Sequence, residues 1–155
     1  MRLGVVGMGD EVKLAFDLLA FISVMVLIVL GLGIIASMMG IFNFAHGEFV
    51  LLGAYTVYLF QDSGLSAWAG ILAAPVVLAV VGLVLERLVI RRFYAAPIVA
   101  MLGTYAIGLM IRETVRALLG GQYKSINEPL SGAFVVFGLN FSVWRTVIVL
   151  TTILV

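Results

Sequence analysis

The sequence of 155 residues contains no cysteine, only one histidine and few charged residues. Without cysteine the chain has no disulfide framework and no thiolate for catalysis or metal binding. Charged residues make up 11% of the chain, whereas soluble globular domains carry about 25%. The net charge of +1 gives no indication of nucleic-acid binding, since the basic residues flank apolar runs.

The chain is instead rich in apolar residues. They make up 64% of the sequence, against roughly 45–50% in soluble domains. Such a composition is typical of a membrane protein that crosses the bilayer several times. At about 20 residues a span, the length leaves room for about five spans. We therefore predict an all-α, polytopic membrane helix bundle that forms a single transmembrane domain over residues 1–155.

The first two spans lie unusually close together in the sequence. Residues 18–45 carry no charge, and as one helix they would measure about 42 Å, against a hydrocarbon core of about 30 Å. The apolar run 49–61 is too short to cross alone. Two crossings would use nearly all of 18–61, so the polar residues between them must lie at membrane depth, in a broken-helix region. The predicted spans are 18–40, 42–61, 67–85, 93–111 and 145–155.

The segment 134–144 predicts a short β-hairpin outside the bilayer, with a turn at 138–140. It follows a polar segment that is rich in turn residues. The last apolar run, 145–155, is too short to cross a membrane. We expect it to be a truncated span, which makes the chain the N-terminal half of a longer protein.

The loop charges predict the orientation. The loop 62–66 has no lysine or arginine, whereas the segment 86–92 has three arginines. Cytoplasmic loops carry an excess of basic residues. We therefore expect the loop 62–66, the N-terminus and the segment 112–144 to lie outside. The cytoplasmic anchors would be Arg87, Arg91 and Arg92.

The polar residues at the predicted break are the candidate site. Ionisable groups at membrane depth are costly and usually face a protein interior or a water-filled cavity. Two interpretations stay open: these side chains either bind the backbone groups that the break leaves free, or they line the translocation path or its gate. The candidates are Asn43, His46, Glu48 and Tyr55, with Gly40 and Gly47 allowing the break.

Three details refine this site. Asn43 is expected to cap the helix that follows, because its side chain accepts from unpaired N–H groups. His46 and Glu48 are two residues apart, so on a helix they cannot share one face. A metal site or a membrane enzyme would need further ligands or acid and base groups. We therefore predict no metal and no catalytic residue.

Residues 40–55 read GIFNFAHGEFVLLGAY. This stretch resembles the signature of LivH-type permeases, the membrane subunits of branched-chain amino acid ABC transporters, which urea and short-amide permeases share. The segment ERLVIRR, at 86–92, resembles the ER-x-x-x-R segment of the same family. Residues 118–149 also look like the middle of that family. The resemblance covers residues 18–155, which is nearly the whole chain.

The resemblance implies a multi-pass subunit of an importer in the cell inner (plasma) membrane. A periplasmic or lipid-anchored binding protein would deliver a branched-chain amino acid, and a second permease subunit would complete the path. Cytoplasmic ATPase subunits would hydrolyse ATP, so this chain would need no cofactor. One alternative is a urea or short-amide permease of the same kind. Another is an ion-coupled transporter or channel in which His46 and Glu48 relay protons.

Overall fold

The computed structural model describes residues 8–40, 42–93, 95–136 and 138–155. Parts of the predicted domain 1–155, of the span 93–111 and of the hairpin 134–144 therefore lie outside the described residues. In the described part the chain is mostly helical and carries one small hairpin, so the predicted all-α membrane bundle is confirmed. The elements are α1 (Met8–Met39), α2 (His46–Asp62), α3 (Ala67–Leu88), a 3₁₀ helix (Ile90–Phe93), α4 (Pro97–Leu119), β1 (Ala133–Val136), β2 (Leu139–Ser142) and α5 (Val143–Leu154).

Three helices of the described residues are long and apolar enough to cross a membrane, namely α1, α3 and α4. Their apolar side chains are largely exposed, as expected of surfaces that face lipid. With 17 residues, α2 measures about 26 Å, which is slightly less than the hydrocarbon core.

The chain divides into two compact units, Met1–Leu30 with Glu128–Val155 and Gly31–Asn127. In the first unit α1 begins at Met8, ten residues before the predicted span 18–40. Asp10 and Glu11 lie in its first turn, where carboxylates stabilise the positive end of the helix dipole. Asp10 and Glu11, which precede the predicted span, are therefore part of the helix.

The hairpin of the first unit is shorter than predicted. Its strands pair antiparallel, with Ala133 opposite Ser142 and Val135 opposite Asn140. Asn140 thus lies in β2 and not in the turn. The predicted end at residue 144 is wrong because Ser142 caps α5, its Oγ accepting from the backbone N–H of Arg145 at 3.4 Å.

An ion-pair network joins α1, α5 and the segment before the hairpin in this unit. Arg145 pairs with Asp17, and its Nε lies 3.8 Å from Glu128 Oε1. The hydroxyl of Ser142 donates to Glu128 at 2.6 Å. Charged side chains therefore fix the start of α5 against α1.

In the second unit α2 and α3 form an antiparallel helical hairpin. The turn between them contains Gly64, with a φ of 79°, and ends at Ser66, whose hydroxyl caps α3. The helices approach most closely at Gly70, where an added Cβ would lie 2.8 Å from Val57 Cα. Small residues allow such close packing between membrane helices.

The fourth helix differs from the predicted span 93–111 at both ends. It begins at Pro97 and continues to Leu119, eight residues past Ile111. Arginine, glutamate, alanine and leucine all favour helix, so the charges of 112–116 do not end it. The helix ends at Gly120, which has a φ of 81°. Arg112 consequently lies inside a membrane-spanning helix.

Candidate functional site at the helix break

The break lies between the end of α1 at Met39 and the start of α2 at His46, and its described residues are 40 and 42–45. Gly40 follows the end of α1 with a φ of 67°, a conformation that a side chain would disfavour. Its N–H still donates to Ala36 O at 2.9 Å. Gly47 lies in the first turn of α2, so the chain has resumed its helix before this glycine.

The free backbone groups of the break are bound by Thr104 and Asn43. The N–H of Phe44 donates to Thr104 Oγ1 at 3.1 Å, and Thr104 is only 2% exposed. The N–H of Ala45 donates to Asn43 Oδ1 at 3.0 Å. Covering such groups with protein is what allows irregular backbone at membrane depth.

Asn43 does not cap α2 as predicted. The N-cap position is Ala45, which makes no capping bond with its side chain. Asn43 lies two residues earlier and bonds to the backbone two residues ahead, as asparagine does in turns. The predicted chemistry of its amide oxygen is observed, but at the turn rather than at the helix start.

Glu48 forms an ion pair with Arg112 of α4. The carboxylate is buried, with 8% of its side chain exposed, whereas 54% of the Arg112 side chain is exposed. Gly108 makes room for the carboxylate, since a Cβ there would lie 3.1 Å from Glu48 Oε2. Glu48 therefore binds a side chain of another helix and not the backbone of the break.

This ion pair joins the first turn of α2 to the later part of α4. Glu48 precedes the end of α2 at Asp62 by fourteen residues, or about 21 Å. Arg112 precedes the end of α4 at Leu119 by about 10 Å. Charged groups within membrane-spanning helices usually pair with one another and mark functional regions of membrane proteins.

His46 lies on another side of α2. With Asn43 it lines an apolar cavity of about 650 Å³ between the end of α1, α2 and α3. The imidazole Cε1 would lie 3.6 Å from a Cβ added at Gly31. His46 and Glu48 therefore line different cavities, since Glu48 borders one of about 230 Å³.

Tyr55 lines a third cavity, a crevice of about 300 Å³ between α2, α4 and the segment after α4. Its ring contacts that of Tyr58 edge to face, with 6.1 Å between the centroids. Arg112 borders both this crevice and the cavity of Glu48. The structure thus distributes the four predicted path residues over three cavities, and Arg112 connects two of them.

The three predicted anchors lie together, at the end of the second unit that is away from the crevice of Tyr55. Arg87 is in the last turn of α3, and Arg91 and Arg92 are in the 3₁₀ helix. All three are exposed. Basic side chains at a helix C-terminus interact favourably with its dipole, as well as with lipid headgroups.

A family model described as the permease component of the branched-chain amino acid transport system matches residues 14–155. The chain belongs to this family. The resemblance of residues 40–55 and 86–92 to LivH-type permeases is thereby confirmed. Searches of curated proteins and of solved structures returned no match to the permease.

The candidate site of this permease consists of an ion pair, a hydrogen bond to a free backbone group and neighbouring cavities. Within the described ranges, no group of three or more histidine, cysteine, aspartate or glutamate side chains is arranged to hold a metal ion. The charged pair at the break joins two helices, and the cavities around it are lined mainly by apolar and aromatic residues. This arrangement fits a membrane permease component.

Sequence reasoning missed two residues of the permease site, Thr104 and Arg112. A buried carboxylate needs a cation, and Arg112 is the first cation after an apolar helix, which was the available signal. The sequence instead predicts that the span ends before the charges of 112–116. Thr104 leaves no comparable signal, since it is separated from Phe44 by 60 residues.

Proposed function

We propose that this chain is a permease subunit of an ATP-driven importer in the cell inner membrane. It provides the translocation pathway for branched-chain amino acids together with a second permease subunit. Cytoplasmic ATPase subunits supply the energy, and a periplasmic or lipid-anchored binding protein delivers the substrate. The proposal rests on the family match over residues 14–155.

In this proposal the helix break acts as part of the path or gate. Asn43 and His46 border an apolar cavity that suits an aliphatic side chain. Glu48 is held by Arg112, and Tyr55 borders the neighbouring crevice. A break that is fixed by a few polar contacts needs only small changes in those contacts to change shape. Contacts of this kind leave the path free of a tight site that would trap the substrate.

Uptake in proteoliposomes tests the proposal. The permease subunit is reconstituted with its partner permease, the ATPases and the binding protein. Radiolabelled leucine is supplied on the side of the binding protein, and ATP on the side of the ATPases. We expect accumulation of leucine that requires both ATP hydrolysis and the binding protein. Collapse of the proton gradient with a protonophore should leave this uptake unchanged.

Three other outcomes would contradict the proposal. Uptake that survives removal of ATP but stops with the protonophore would indicate an ion-coupled transporter. Transport of urea or acetamide in preference to leucine would indicate the alternative substrate class. Loss of leucine from the vesicle lumen when ATP is added would reverse the proposed direction.

A further inference from the structure

The crevice beside Tyr55 carries an excess of positive charge. Arg112, Arg116 and Lys124 line it, and no aspartate or glutamate is among its described lining residues. Arg112 is neutralised by Glu48 on its other side. Arg116 has only a weak, exposed contact with Glu113, at 3.4 Å. Arg116 and Lys124 therefore leave the crevice attractive to an anion.

One of the cations, Lys124, contacts an aromatic ring. The ammonium group of Lys124 lies over the ring of Tyr58, 5.4 Å from its centroid. The Tyr58 hydroxyl donates to Asp62, which lies outside the crevice, at 3.4 Å. The segment that carries Lys124 is fixed farther along, where the side chain of Gln61 exchanges two hydrogen bonds of 2.9 Å with the backbone of Asn127. The segment that carries the Lys124 ammonium group is thus held against α2 by hydrogen bonds.

The crevice also has apolar lining residues. These are Leu51 and Ala54 of α2, Val115 of α4 and Ile126 of the following segment. A cavity of about 300 Å³ that pairs cations with aliphatic side chains matches a small molecule with an anionic end and an aliphatic end. It does not match urea, which is small, uncharged and polar throughout.

We infer that this crevice is a low-affinity binding site for a branched-chain amino acid during transport. Arg116 and Lys124 attract the substrate carboxylate, and Leu51, Val115 and Ile126 contact its aliphatic side chain. The ammonium group of the substrate, which these cations repel, faces the open mouth of the crevice. The identity of the ligand rests on the proposed function, whereas the preference for an anion rests on the crevice alone. Because the site binds weakly, substrate is passed on towards the helix break.

Thiol labelling tests this inference, because the chain has no cysteine of its own. Val115→Cys is introduced into the subunit, and the complete transporter is placed in nanodiscs of zwitterionic lipid. Its labelling rates with an anionic and a cationic methanethiosulfonate reagent are compared. The same ratio at Leu65→Cys, in the exposed turn between α2 and α3, corrects for intrinsic reactivity. Ile126→Cys serves as a second reporter if the first variant does not fold.

We expect the corrected ratio to favour the anionic reagent by about tenfold, as for ions in a charged cleft. Arg116→Gln combined with Lys124→Gln should remove this preference, whereas Lys13→Gln, which removes an exposed cation on α1, should not. Leucine should slow the labelling, and so should 4-methylpentanoate, which keeps the carboxylate but lacks the ammonium group. Leucinamide, which lacks the carboxylate and is a cation, should not. Added salt should weaken the preference.

The inference fails if the anionic reagent has no advantage, or if leucinamide protects as well as leucine. It also fails if anionic lipid in the nanodisc slows labelling while leucine does not, since the crevice would then be a lipid headgroup site. ATP-driven leucine uptake without protection at Val115→Cys would contradict only this inference. Protection by leucine without ATP-driven uptake would instead contradict the proposed importer.

Discussion

At the scale of single residues, the ion pair of Glu48 and Arg112 is asymmetric. The carboxylate is buried, and more than half of the guanidinium side chain is exposed. Removal of the arginine would leave a buried charge without a cation, which is costly in a low-dielectric interior. Removal of the carboxylate would leave an arginine that is already more than half exposed. The two halves of one contact should therefore have unequal effects on stability.

We predict that Arg112→Gln destabilises the subunit by about 3 kcal/mol, the lower end for a broken buried pair, since Arg112 is itself half exposed. Glu48→Gln should cost on the order of 1 kcal/mol, because a neutral amide still accepts a hydrogen bond. The double variant should be more stable than Arg112→Gln alone. The measurement is unfolding of the purified subunit in mixed detergent micelles.

Glu113→Gln provides the matched control for this prediction. Glu113 is the neighbouring acid on α4, and its contact with Arg116 is exposed on both sides. Such surface pairs contribute about 0–1 kcal/mol. If Arg112→Gln were as well tolerated as Glu113→Gln, the pair with Glu48 would have no special part in holding α2 against α4.

At the scale of elements, local signals located most of the features that the structure shows. Glycines, charged loops and prolines marked the break near Gly40, the turn at 62–66 and the region of the hairpin. The start of α1 and the end of α4 differ from the predicted spans because the charged residues at these positions do not end the helices. Charges can continue a helix beyond the lipid, as Asp10 and Glu11 do, or within it when paired, as Arg112 does.

Contacts between distant elements were beyond prediction from one sequence. Neither the bond from Phe44 to Thr104 nor the pair of Glu48 and Arg112 follows from spacing, because the partners lie 60 and 64 residues apart. Both depend on how α4 packs against the start of α2. Spacing along the sequence therefore does not show which residues of α4 meet the start of α2.

The packing of α2 on α3 depends on Gly70. A Cβ at this position would lie 2.8 Å from a backbone atom of Val57, too close without movement of a helix. We predict that Gly70→Ala lowers stability by about 1–3 kcal/mol, as overpacking does. Gly33→Ala is the matched control, since nothing lies within 4 Å of a Cβ added at this other helical glycine.

The two glycine variants are compared by thermal unfolding, with the folded fraction at each temperature measured by size-exclusion chromatography. Gly33→Ala should unfold at or above the temperature of the parent protein, because alanine favours helix over glycine. Equal effects of the two substitutions would mean that the close approach at Gly70 does not limit the packing of α2 and α3.

At the scale of the whole molecule, the orientation of the subunit in the membrane decides to which compartment the crevice opens. In the second unit, α2 and α4 run parallel, as shown by the contacts from Phe44 to Thr104 and from Glu48 to Arg112. The crevice cations therefore lie towards the turn at 62–66, and the arginines of 86–92 towards the other end. In the predicted orientation, Arg116 and Lys124 lie outside, against the positive-inside tendency. Their position is explained if they serve a ligand instead of setting the topology.

Single cysteines in an otherwise cysteine-free chain test this orientation. We predict that Ser63→Cys, in the turn after α2, reacts with a membrane-impermeant maleimide in intact cells. Leu88→Cys, exposed in the last turn of α3, should react only after the cells are permeabilised. The reverse labelling pattern would show that the end of the subunit with the crevice faces the cytoplasm. A binding protein on the outer side could then not deliver substrate to it, so the crevice could not be the entry site of an importer.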